Sequence, residues 1–228
     1  MRTSAIIVAA GSGSRLGVGQ PKAFVTVGGR TMLCHSLSTV AALAELVEVV
    51  VTVPGAMENE ARAEARRAGL NVPVKVTEGG AERQDSVRIA LGLTSAESEL
   101  VVIHDAARPF APLALFERCI EAAVRSGAAI AAIPAADTLK RVEERRILET
   151  VPRAGLYQAQ TPQAFRRQLL IAAHEHARTR RISATDDADL VERLGEIVEI
   201  VEASALNLKI TTRSDLEIAE AIAATLAR

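Results

Sequence analysis

The sequence predicts an α/β fold built around a mainly parallel β-sheet. Apolar runs of strand length alternate with helical patterns along most of the chain, which is typical of repeated β-α-β units. Hydrophobic residues make up 49% of the 228 residues but aromatic residues only 2%, so the core must consist of Ala, Val, Leu and Ile. This composition suits helices packed on both faces of a parallel sheet. Because no repeat, linker or low-complexity segment divides the chain, we expect one domain over residues 1–228.

The elements follow from the hydrophobic periodicity, taken in chain order. The predicted strands are Ala5–Ala9, Val47–Val53, Val74–Val76, Leu100–Ile103, Ala128–Ile133, Ile197–Val201 and Leu206–Thr211. The predicted helices are Met32–Leu43, Met57–Ala68, Ser86–Leu93, Leu113–Arg125, Ala164–Arg178, Asp187–Leu194 and Asp215–Leu226. Ser214 and Glu217 have the spacing of a capping box, and Thr185 and Thr161 stand where they would cap the helices that follow them.

One segment interrupts this alternation. Two short strand-like stretches within residues 138–151 flank a highly charged turn, which predicts a β-hairpin that leaves the sheet as an arm over about residues 135–153. Because an isolated two-stranded hairpin is at most marginally stable in water, we expect the arm to pack against a second copy of the chain. A mobile surface hairpin is the alternative that this pattern leaves open.

The first predicted strand runs into a glycine-rich loop with the features of a phosphate-binding site. Gly11 and Gly13 lie in this loop, and Arg15 and Lys22 follow it. Glycines let backbone amides approach phosphate oxygens, and two nearby cations could stabilise the charge on a phosphoryl group in transfer. The dinucleotide pattern does not fit, because Gly17 comes one position late, and the chain contains no Gly-Lys pair for a Walker loop. A structural turn is the alternative.

A second glycine pair precedes the predicted helix that begins at Ser86. Gly80 and Arg83 lie before this helix, whose first amides are free to meet an anion or the edge of a base. Ser86 could hydrogen-bond a base, and Arg83 could reach a phosphate. The alternative is an ordinary glycine turn in which Asp85 and Ser86 only cap the helix.

A third set of polar residues follows the strand Leu100–Ile103. Asp105 stands at its carboxyl end, where ligands bind in open α/β sheets, and could hold Mg²⁺ or a substrate hydroxyl. Arg108 could contact a phosphate, and an ion pair that only fixes the loop is the alternative. His104 is interpreted as a hydrogen-bonded structural residue. Lys209 interrupts an apolar segment, and we expect it either to project outward or to pair with Asp105.

The remaining features mainly exclude functions. A net charge of −1 gives no global attraction to nucleic acid or to an anionic membrane. Cys34 and Cys119 are expected to be buried free thiols, and we find no leader or membrane-spanning run, which favours a cytoplasmic protein. His174 and His176 do not share a helix face, and no Cys/His spacing predicts a metal site, so we interpret these residues as inert.

Together the motifs resemble the 2-C-methyl-D-erythritol 4-phosphate cytidylyltransferase family of the non-mevalonate isoprenoid pathway. The matching segments are AAGSGSRLG with PK, GGAERQDSV, HDAARP, DTLK, PRAGLYQAQTPQAF, TDDA and NLKIT, in family order from the first predicted strand to the last. The resemblance implies a Rossmann-like three-layer fold, transfer of CMP from CTP to the erythritol phosphate with release of pyrophosphate, and use of Mg²⁺ or another divalent cation. It also implies a homodimer joined through the β-arms.

The resemblance further implies a role for individual residues. Arg15 and Lys22 would stabilise the transition state, and Arg153 and Lys209 would hold the erythritol phosphate for attack. The substrate-binding positions would be Ala9, Ala10, Gly11, Gly13, Gly80, Arg83, Ser86, Asp105, Ala106, Arg108, Thr138 and Thr161. Mg²⁺ would be held mainly by the CTP phosphates, with Asp105 as a further ligand. Two alternatives stay open: a sibling enzyme acting on ribitol 5-phosphate or a sugar phosphate, and a non-catalytic nucleotide-binding regulator.

Overall fold

The computed structural model describes residues 1–226 and confirms an α/β fold with a mainly parallel central sheet. The strands are β1 (Thr3–Val8), β2 (Thr26–Val27), β3 (Arg30–Thr31), β4 (Leu46–Val53), β5 (Val74–Glu78), β6 (Leu100–Asp105), β7 (Ala128–Pro134), β8 (Leu139–Glu143), β9 (Arg146–Val151), β10 (Tyr157–Arg166) and β11 (Glu199–Glu202). The helices are α1 (Met32–Ala41), α2 (Glu58–Arg67), α3 (Arg83–Leu93), α4 (Leu113–Ser126), α5 (Arg167–Arg180), α6 (Asp187–Glu192) and α7 (Arg213–Leu226).

The strand order of the central sheet creates a crevice beside β1. The order is β11-β7-β10-β6-β1-β4-β5, and every neighbouring pair is parallel except those that β10 makes with β6 and β7. The chain moves outward from β1 through β4 to β5 and then crosses to β6 on the other side of β1. Such a reversal opens a ligand crevice at the carboxyl ends of the two strands, where Val8 of β1 is paired with Asp105 of β6.

Two helical layers bury the two faces of the sheet. Helices α1, α2 and α4 cover the face to which Ala5 and Ile7 point, and α3, α5 and α6 cover the face to which Ile6 points. Because both faces are buried, the middle strands contain continuous apolar runs, such as Ala5–Val8, Val49–Val51 and Leu100–Ile103, as is usual in parallel sheets. Cys34 and Cys119 are buried free thiols, as predicted. No helix in residues 1–226 has both the length and the apolarity that crossing a bilayer requires.

A third, small apolar cluster anchors the C-terminal part of the chain beside the crevice. It contains Leu16, Val27, Met32, Ile210 and Ala219, which come from the glycine-rich loop, β2, α1, the segment before α7 and α7 itself. Ile210 is fully buried, and its backbone amide donates a 2.9 Å hydrogen bond to the Ala107 carbonyl. The position of Lys209 therefore depends on an apolar anchor one residue away.

The prediction of a helix over 164–178 is wrong at its start, because Tyr157–Arg166 forms β10 and α5 begins at Arg167. Ala164 packs on one face of the sheet and Phe165 on the other, both fully buried. A short apolar pair directly before an amphipathic helix carries no periodicity that separates strand from helix. Thr161 lies inside β10 and does not cap a helix.

The prediction of a strand over 206–211 is also wrong, since these residues are irregular. The caps of two helices differ as well. Asp186, not Thr185, caps α6 and accepts the amide of Asp189. Thr212 and Asp215 cap α7 reciprocally, in place of Ser214 and Glu217.

The predicted hairpin is present as a separate two-stranded sheet made of β8 and β9. Its base is closed by a 2.9 Å hydrogen bond from the Ala135 amide to the Leu156 carbonyl. Val142, Ile147 and Leu148 are more than half exposed, so the arm presents apolar side chains that the single chain leaves uncovered.

We expect Ile210→Ala to lower the free energy of unfolding by about 2–5 kcal/mol, because it removes a fully buried side chain from the third cluster. Ile200→Ala is the matched control, since Ile200 is 46% exposed and should cost less than about 1 kcal/mol. Urea unfolding of both variants measures the difference. Equal losses would show that the third cluster does not anchor this segment.

Candidate active site

Three adjoining cavities occupy the crevice at the carboxyl ends of β1, β5 and β6. The first, of about 160 Å³, is lined by Ala10, Gly80, Ser86 and neighbouring residues. The second, of about 390 Å³, lies over the glycine-rich loop and shares Ala10 with the first. The third, of about 220 Å³, is lined by Arg108 and Thr161, among others. Arg83, Asp105 and Lys209 line both the first and the third cavity and so form the wall between them.

The glycine-rich loop is folded tightly against Lys22. Gly13 has φ +70°, and a Cβ on it would lie 2.7 Å from the Lys22 Cβ, which no side chain at position 13 allows. A Cβ on Gly11 would lie 3.7 Å from Lys22 Cε, so the lysine side chain extends past the loop. Arg15 is exposed on the same loop. The structure thus brings the two predicted transition-state cations to one loop.

The second glycine pair forms a narrow slot against the first loop. A Cβ on Gly79 would lie 2.3 Å from the Ala10 Cβ and 2.8 Å from the Ser86 hydroxyl oxygen, so this approach requires glycine. The Gly80 amide donates a 3.1 Å hydrogen bond to the Ser86 hydroxyl, which itself donates to the Glu82 carbonyl at 3.2 Å. Ala10, Gly80 and Ser86 therefore line one cavity, as the prediction of a base-binding site requires.

Asp105 joins two cations across the wall between the cavities. Its Oδ1 accepts from Arg83 Nε at 3.0 Å, and its Oδ2 accepts from Lys209 Nζ at 2.6 Å. Burial favours the protonated carboxyl, but the charges of Arg83 and Lys209 outweigh it and hold the pKa of Asp105 far below its usual range. The predicted pairing of Lys209 with Asp105 is confirmed.

Lys22 lies in a site that has an excess of positive charge. Burial lowers the pKa of Lys22, and the charges of Lys209, Arg15 and Arg108 lower it further, while Asp105 opposes them. Cations that destabilise each other in this way favour a bound anion, which would relieve their repulsion. This arrangement is suited to a polyphosphate.

His104 holds the loop that carries Asp105 and Arg108. The Asp105 amide donates to the Thr161 hydroxyl at 3.0 Å, and that hydroxyl lies 3.0 Å from His104 Nδ1. Since the hydroxyl accepts from the amide, it donates to Nδ1, and Nε2–H then donates to the Arg108 carbonyl at 3.0 Å. Burial lowers the pKa of His104 to about 4, so the ring is neutral at pH 7. Its structural interpretation is confirmed.

Arg108 is held from behind and is oriented toward the third cavity. Its Nη1 donates to the Asn207 carbonyl at 2.7 Å, and burial lowers its pKa. Within the described residues, its buried Nε has no hydrogen-bond partner. Asn207 in turn donates to Gln160 and to the Thr161 carbonyl, at 2.7 and 2.9 Å.

Two residues that the sequence did not assign lie directly behind Arg83. Arg83 Nη1 donates to Asp187 Oδ2 at 2.7 Å, and His174 Nε2 lies 3.1 Å from Asp187 Oδ1. His174, interpreted as inert from its spacing, is buried in this network and hydrogen-bonded to Asp187. The TDDA segment contains Asp187, but no local pattern in the sequence indicates its contact with Arg83 or with His174.

Not all predicted positions come together in the single chain. Ala9 and Ala106 are buried beneath the crevice, at the ends of β1 and β6. Thr138 and Arg153 lie at the base of the hairpin, exposed, and line none of the three cavities. These two positions therefore stay predictions that a single chain does not satisfy.

The described residues do not form a cage for a metal ion. Residues 1–226 contain no group of three or more His, Cys, Asp or Glu side chains placed to hold one. Both oxygens of Asp105 are engaged by cations, and Glu82 and Asp186 line different cavities. This donor set does not fit a cation held by protein ligands alone.

Comparisons with known proteins find relatives over nearly the full length of the chain. A family profile described as 2-C-methyl-D-erythritol 4-phosphate cytidylyltransferase matches residues 3–225. A relative of that name from Deinococcus radiodurans is 48% identical over 222 residues, covering 97% of this chain and 89% of the relative. The crystal structure of the protein of that name from Thermus thermophilus has a TM-score of 0.82 and 41% identity, covering 98% of this chain and 100% of that one. The structure of 4-diphosphocytidyl-2C-methyl-D-erythritolsynthase from Anaerococcus prevotii has a TM-score of 0.86 and 32% identity, covering 100% and 96%.

We expect the stability of the protein to fall as the pH decreases from 6.5 to 4, because the unfolded chain binds a proton on His104 that the folded chain excludes. The full loss is about 3 kcal/mol at the acid end of this window. His104→Gln should be less stable at pH 7 but should show a shallower pH dependence. Urea unfolding at several pH values measures both effects.

His176→Gln is the control for this pH dependence, because His176 is only half-buried on α5 and takes no part in the Asp105 loop. Its free energy of unfolding should change with pH as steeply as that of the unaltered protein. If the free energy of unfolding of His104→Gln depended on pH as steeply as that of the unaltered protein, the conclusion that His104 is buried in its neutral form would be contradicted.

Proposed function

The chain belongs to the 2-C-methyl-D-erythritol 4-phosphate cytidylyltransferase family, and from this we propose how its residues transfer CMP from CTP to the erythritol phosphate. The observation that carries the proposal is the excess of cations around the glycine-rich loop. The charges of Lys209, Arg15 and Arg108 act on Lys22 and only that of Asp105 opposes them, so the site favours a substrate with several negative charges.

We place the nucleotide along the first two cavities. The slot between Ala10, Gly80 and Ser86 is narrow and lined by backbone, which suits a single pyrimidine ring. The triphosphate would then follow the loop from Gly11 to Gly13, where glycines leave backbone amides accessible. Arg15 and Lys22 would lie beside the α-phosphate and the leaving pyrophosphate.

We place the erythritol phosphate in the third cavity. Arg108, Lys209 and Thr161 all line this cavity, and Arg108 and Lys209 supply positive charge for a phosphate. A phosphate bound by Arg108 would be separated from the nucleotide only by the side chains of Arg83, Asp105 and Lys209. The two substrates would therefore meet across a wall that carries cations.

The reaction requires no general base, because the attacking phosphate is already an anion. One of its oxygens forms a bond with the α-phosphorus of CTP, and the bond from that phosphorus to the bridging oxygen breaks to release pyrophosphate. Lys22 and Arg15 would neutralise the charge that develops, while the loop fixes the line of attack. The chain would thus contribute to catalysis through positioning and charge.

A divalent cation would enter with the triphosphate. The donor set of this chain does not fit a resident metal, because the Asp105 oxygens are engaged by Arg83 and Lys209. Nucleotidyl transfer in general uses a cation on the phosphates, where it neutralises charge. We place the reaction in the cytoplasm, in line with the two free cysteines.

We further propose a homodimer in which the arm of one chain completes the site of the other. Three apolar side chains of the arm, Val142, Ile147 and Leu148, are exposed in the single chain and would be covered by a partner. Arg153 and Thr138 lie at the base of the arm and reach none of the cavities of their own chain. A partner's arm would supply the missing contacts to the erythritol phosphate.

The direct test of the function measures pyrophosphate release from CTP and Mg²⁺ with 2-C-methyl-D-erythritol 4-phosphate. Ribitol 5-phosphate in place of the acceptor, and UTP in place of CTP, are the controls. We expect release with the erythritol phosphate and CTP only. Release with ribitol 5-phosphate alone would assign a sibling activity, and CTP binding without release would indicate a regulator.

We expect Lys22→Ala and Arg15→Ala each to lower kcat by about 10²–10³, because each removes a cation aimed at the charge in transfer. Both should fold normally, since neither side chain belongs to the apolar core. Arg62→Ala is the matched control, as Arg62 is exposed on α2, away from the crevice. Turnover near normal in either crevice variant would contradict its role.

The dimer proposal predicts that two impaired variants restore each other when mixed. Arg153→Ala should raise the KM for the erythritol phosphate, and Lys22→Ala should lower kcat. In a mixed dimer, one of the two sites combines an intact Lys22 with an intact Arg153 from the partner. Random assortment makes about half of the dimers mixed, so about a quarter of all sites are intact. At low acceptor concentration the mixture should therefore recover about a quarter of the normal rate. No recovery from co-refolded chains that do form mixed dimers would place Arg153 in its own chain's site.

A further inference from the structure

A continuous line of ion pairs runs from the wall between the cavities into the interior of the protein. Lys209, Asp105, Arg83 and Asp187 follow one another with alternating charge, at contacts of 2.6, 3.0 and 2.7 Å. His174 ends the line, with its Nε2 3.1 Å from Asp187. Only Lys209, Asp105 and Arg83 line the cavities, so the other two residues lie behind the site.

We propose that Asp187 and His174 are positioning residues, which act on the reaction by fixing the orientation of Arg83. With Arg83 fixed on one oxygen of Asp105, the other oxygen stays bound to Lys209. The proposal rests on the function proposed above. Asp187 lies on α6 and is 1% exposed; within residues 1–226 its carboxylate forms an ion pair with Arg83 and a hydrogen bond with His174. A buried carboxylate of this kind is retained only where its partners satisfy it.

Two carboxylates hold the guanidinium of Arg83 in one plane. Its Nε binds Asp105 and its Nη1 binds Asp187, and because the group is planar, two such contacts fix its orientation. Its third nitrogen, Nη2, is buried and has no partner among the described residues. Arg83 therefore cannot rotate to form a second hydrogen bond with Asp105 without losing its contact with Asp187.

The charges in the line balance only while Asp187 is ionised. Two cations, Lys209 and Arg83, alternate with two anions, Asp105 and Asp187. If Asp187 lost its charge, Arg83 would be compensated by Asp105 alone and would draw that carboxylate away from Lys209. Lys209 would then lose the contact that holds it at the acceptor cavity, and the effect should appear in use of the erythritol phosphate.

His174 acts one step further back, by orienting Asp187. Its Nε2–H donates to one carboxylate oxygen and leaves the other for Arg83. The Nδ1 atom is buried without a partner in the described part of the chain, so only the Nε2 contact explains a polar ring at this position. A side chain that keeps a donor at the Nε2 position should therefore keep the function.

The main test is a double-mutant cycle between Asp187→Asn and Lys209→Met. We expect Asp187→Asn to lower kcat/KM for the erythritol phosphate by about tenfold or more, with the Kd of CTP changed by less than about threefold. In the Lys209→Met background, the same change should cost less than about threefold, because Lys209 no longer transmits it. Additive losses, or a loss shared equally by CTP binding, would reduce Asp187 to a structural residue and overturn the proposal.

His174 supplies a second test that does not remove a buried charge. His174→Gln should retain most of the activity, while His174→Leu should lose several-fold in kcat/KM for the acceptor, and His176→Gln, on the same helix, should change nothing. Equal activities of His174→Gln and His174→Leu would overturn the proposal, even if Asp187→Asn fails to fold. The same double-mutant cycle can be measured on the free energy of unfolding, without any substrate. Coupling in stability without turnover of the erythritol phosphate would contradict only the proposed function, whereas no coupling in stability would contradict the network.

Discussion

The site depends on one carboxylate, Asp105, and the two cations that share it. Asp105 ends β6 beside β1, so the topology of the sheet places it at the crevice, and both of its oxygens are engaged there. Arg83 reaches it from the first turn of α3, and Lys209 reaches it from a loop near the C-terminus. Three distant parts of the chain thus meet at one residue, and the wall between the cavities exists only while they meet. The ion pairs therefore organise the site, although buried pairs of this kind contribute little net stability.

The loop that carries Asp105 and Arg108 is held by neutral hydrogen bonds rather than by ion pairs. His104, neutral because burial lowers its pKa to about 4, connects the Thr161 hydroxyl to the Arg108 carbonyl and closes the loop. A charged ring at this position would add a further cation to a site that already has an excess. The apolar anchor at Ile210 holds Lys209 in the same way, without a charge of its own. Neutral scaffolding leaves the cations of the crevice available for substrate.

Most of the fold followed from periodicity, because strands buried on both faces and helices with one apolar stripe leave distinct patterns. Strand β10 did not, since its Ala164 and Phe165 adjoin an amphipathic helix and its antiparallel course is set by neighbours that lie far away in sequence. The pairing of Lys209 with Asp105 could be expected, because an ammonium in an apolar segment needs a counter-charge. The roles of Asp187 and His174 could not, because nothing local to α5 or α6 indicates that they face Arg83 across the chain.

The excess of positive charge has a consequence for the protein before substrate binds. Lys22 is destabilised in its charged form by burial and by its neighbouring cations, so the folded chain holds these groups together at a cost in free energy. In the proposed mechanism, a triphosphate would remove that repulsion on binding, and the transition state would remove more, because Lys22 and Arg15 would both lie beside its charged oxygens. Under that mechanism, part of the catalytic effect would be present in the folded protein before substrate arrives, as preorganised charge. The neutral scaffold, the buried carboxylates and the rigid sheet are what allow the fold to maintain it.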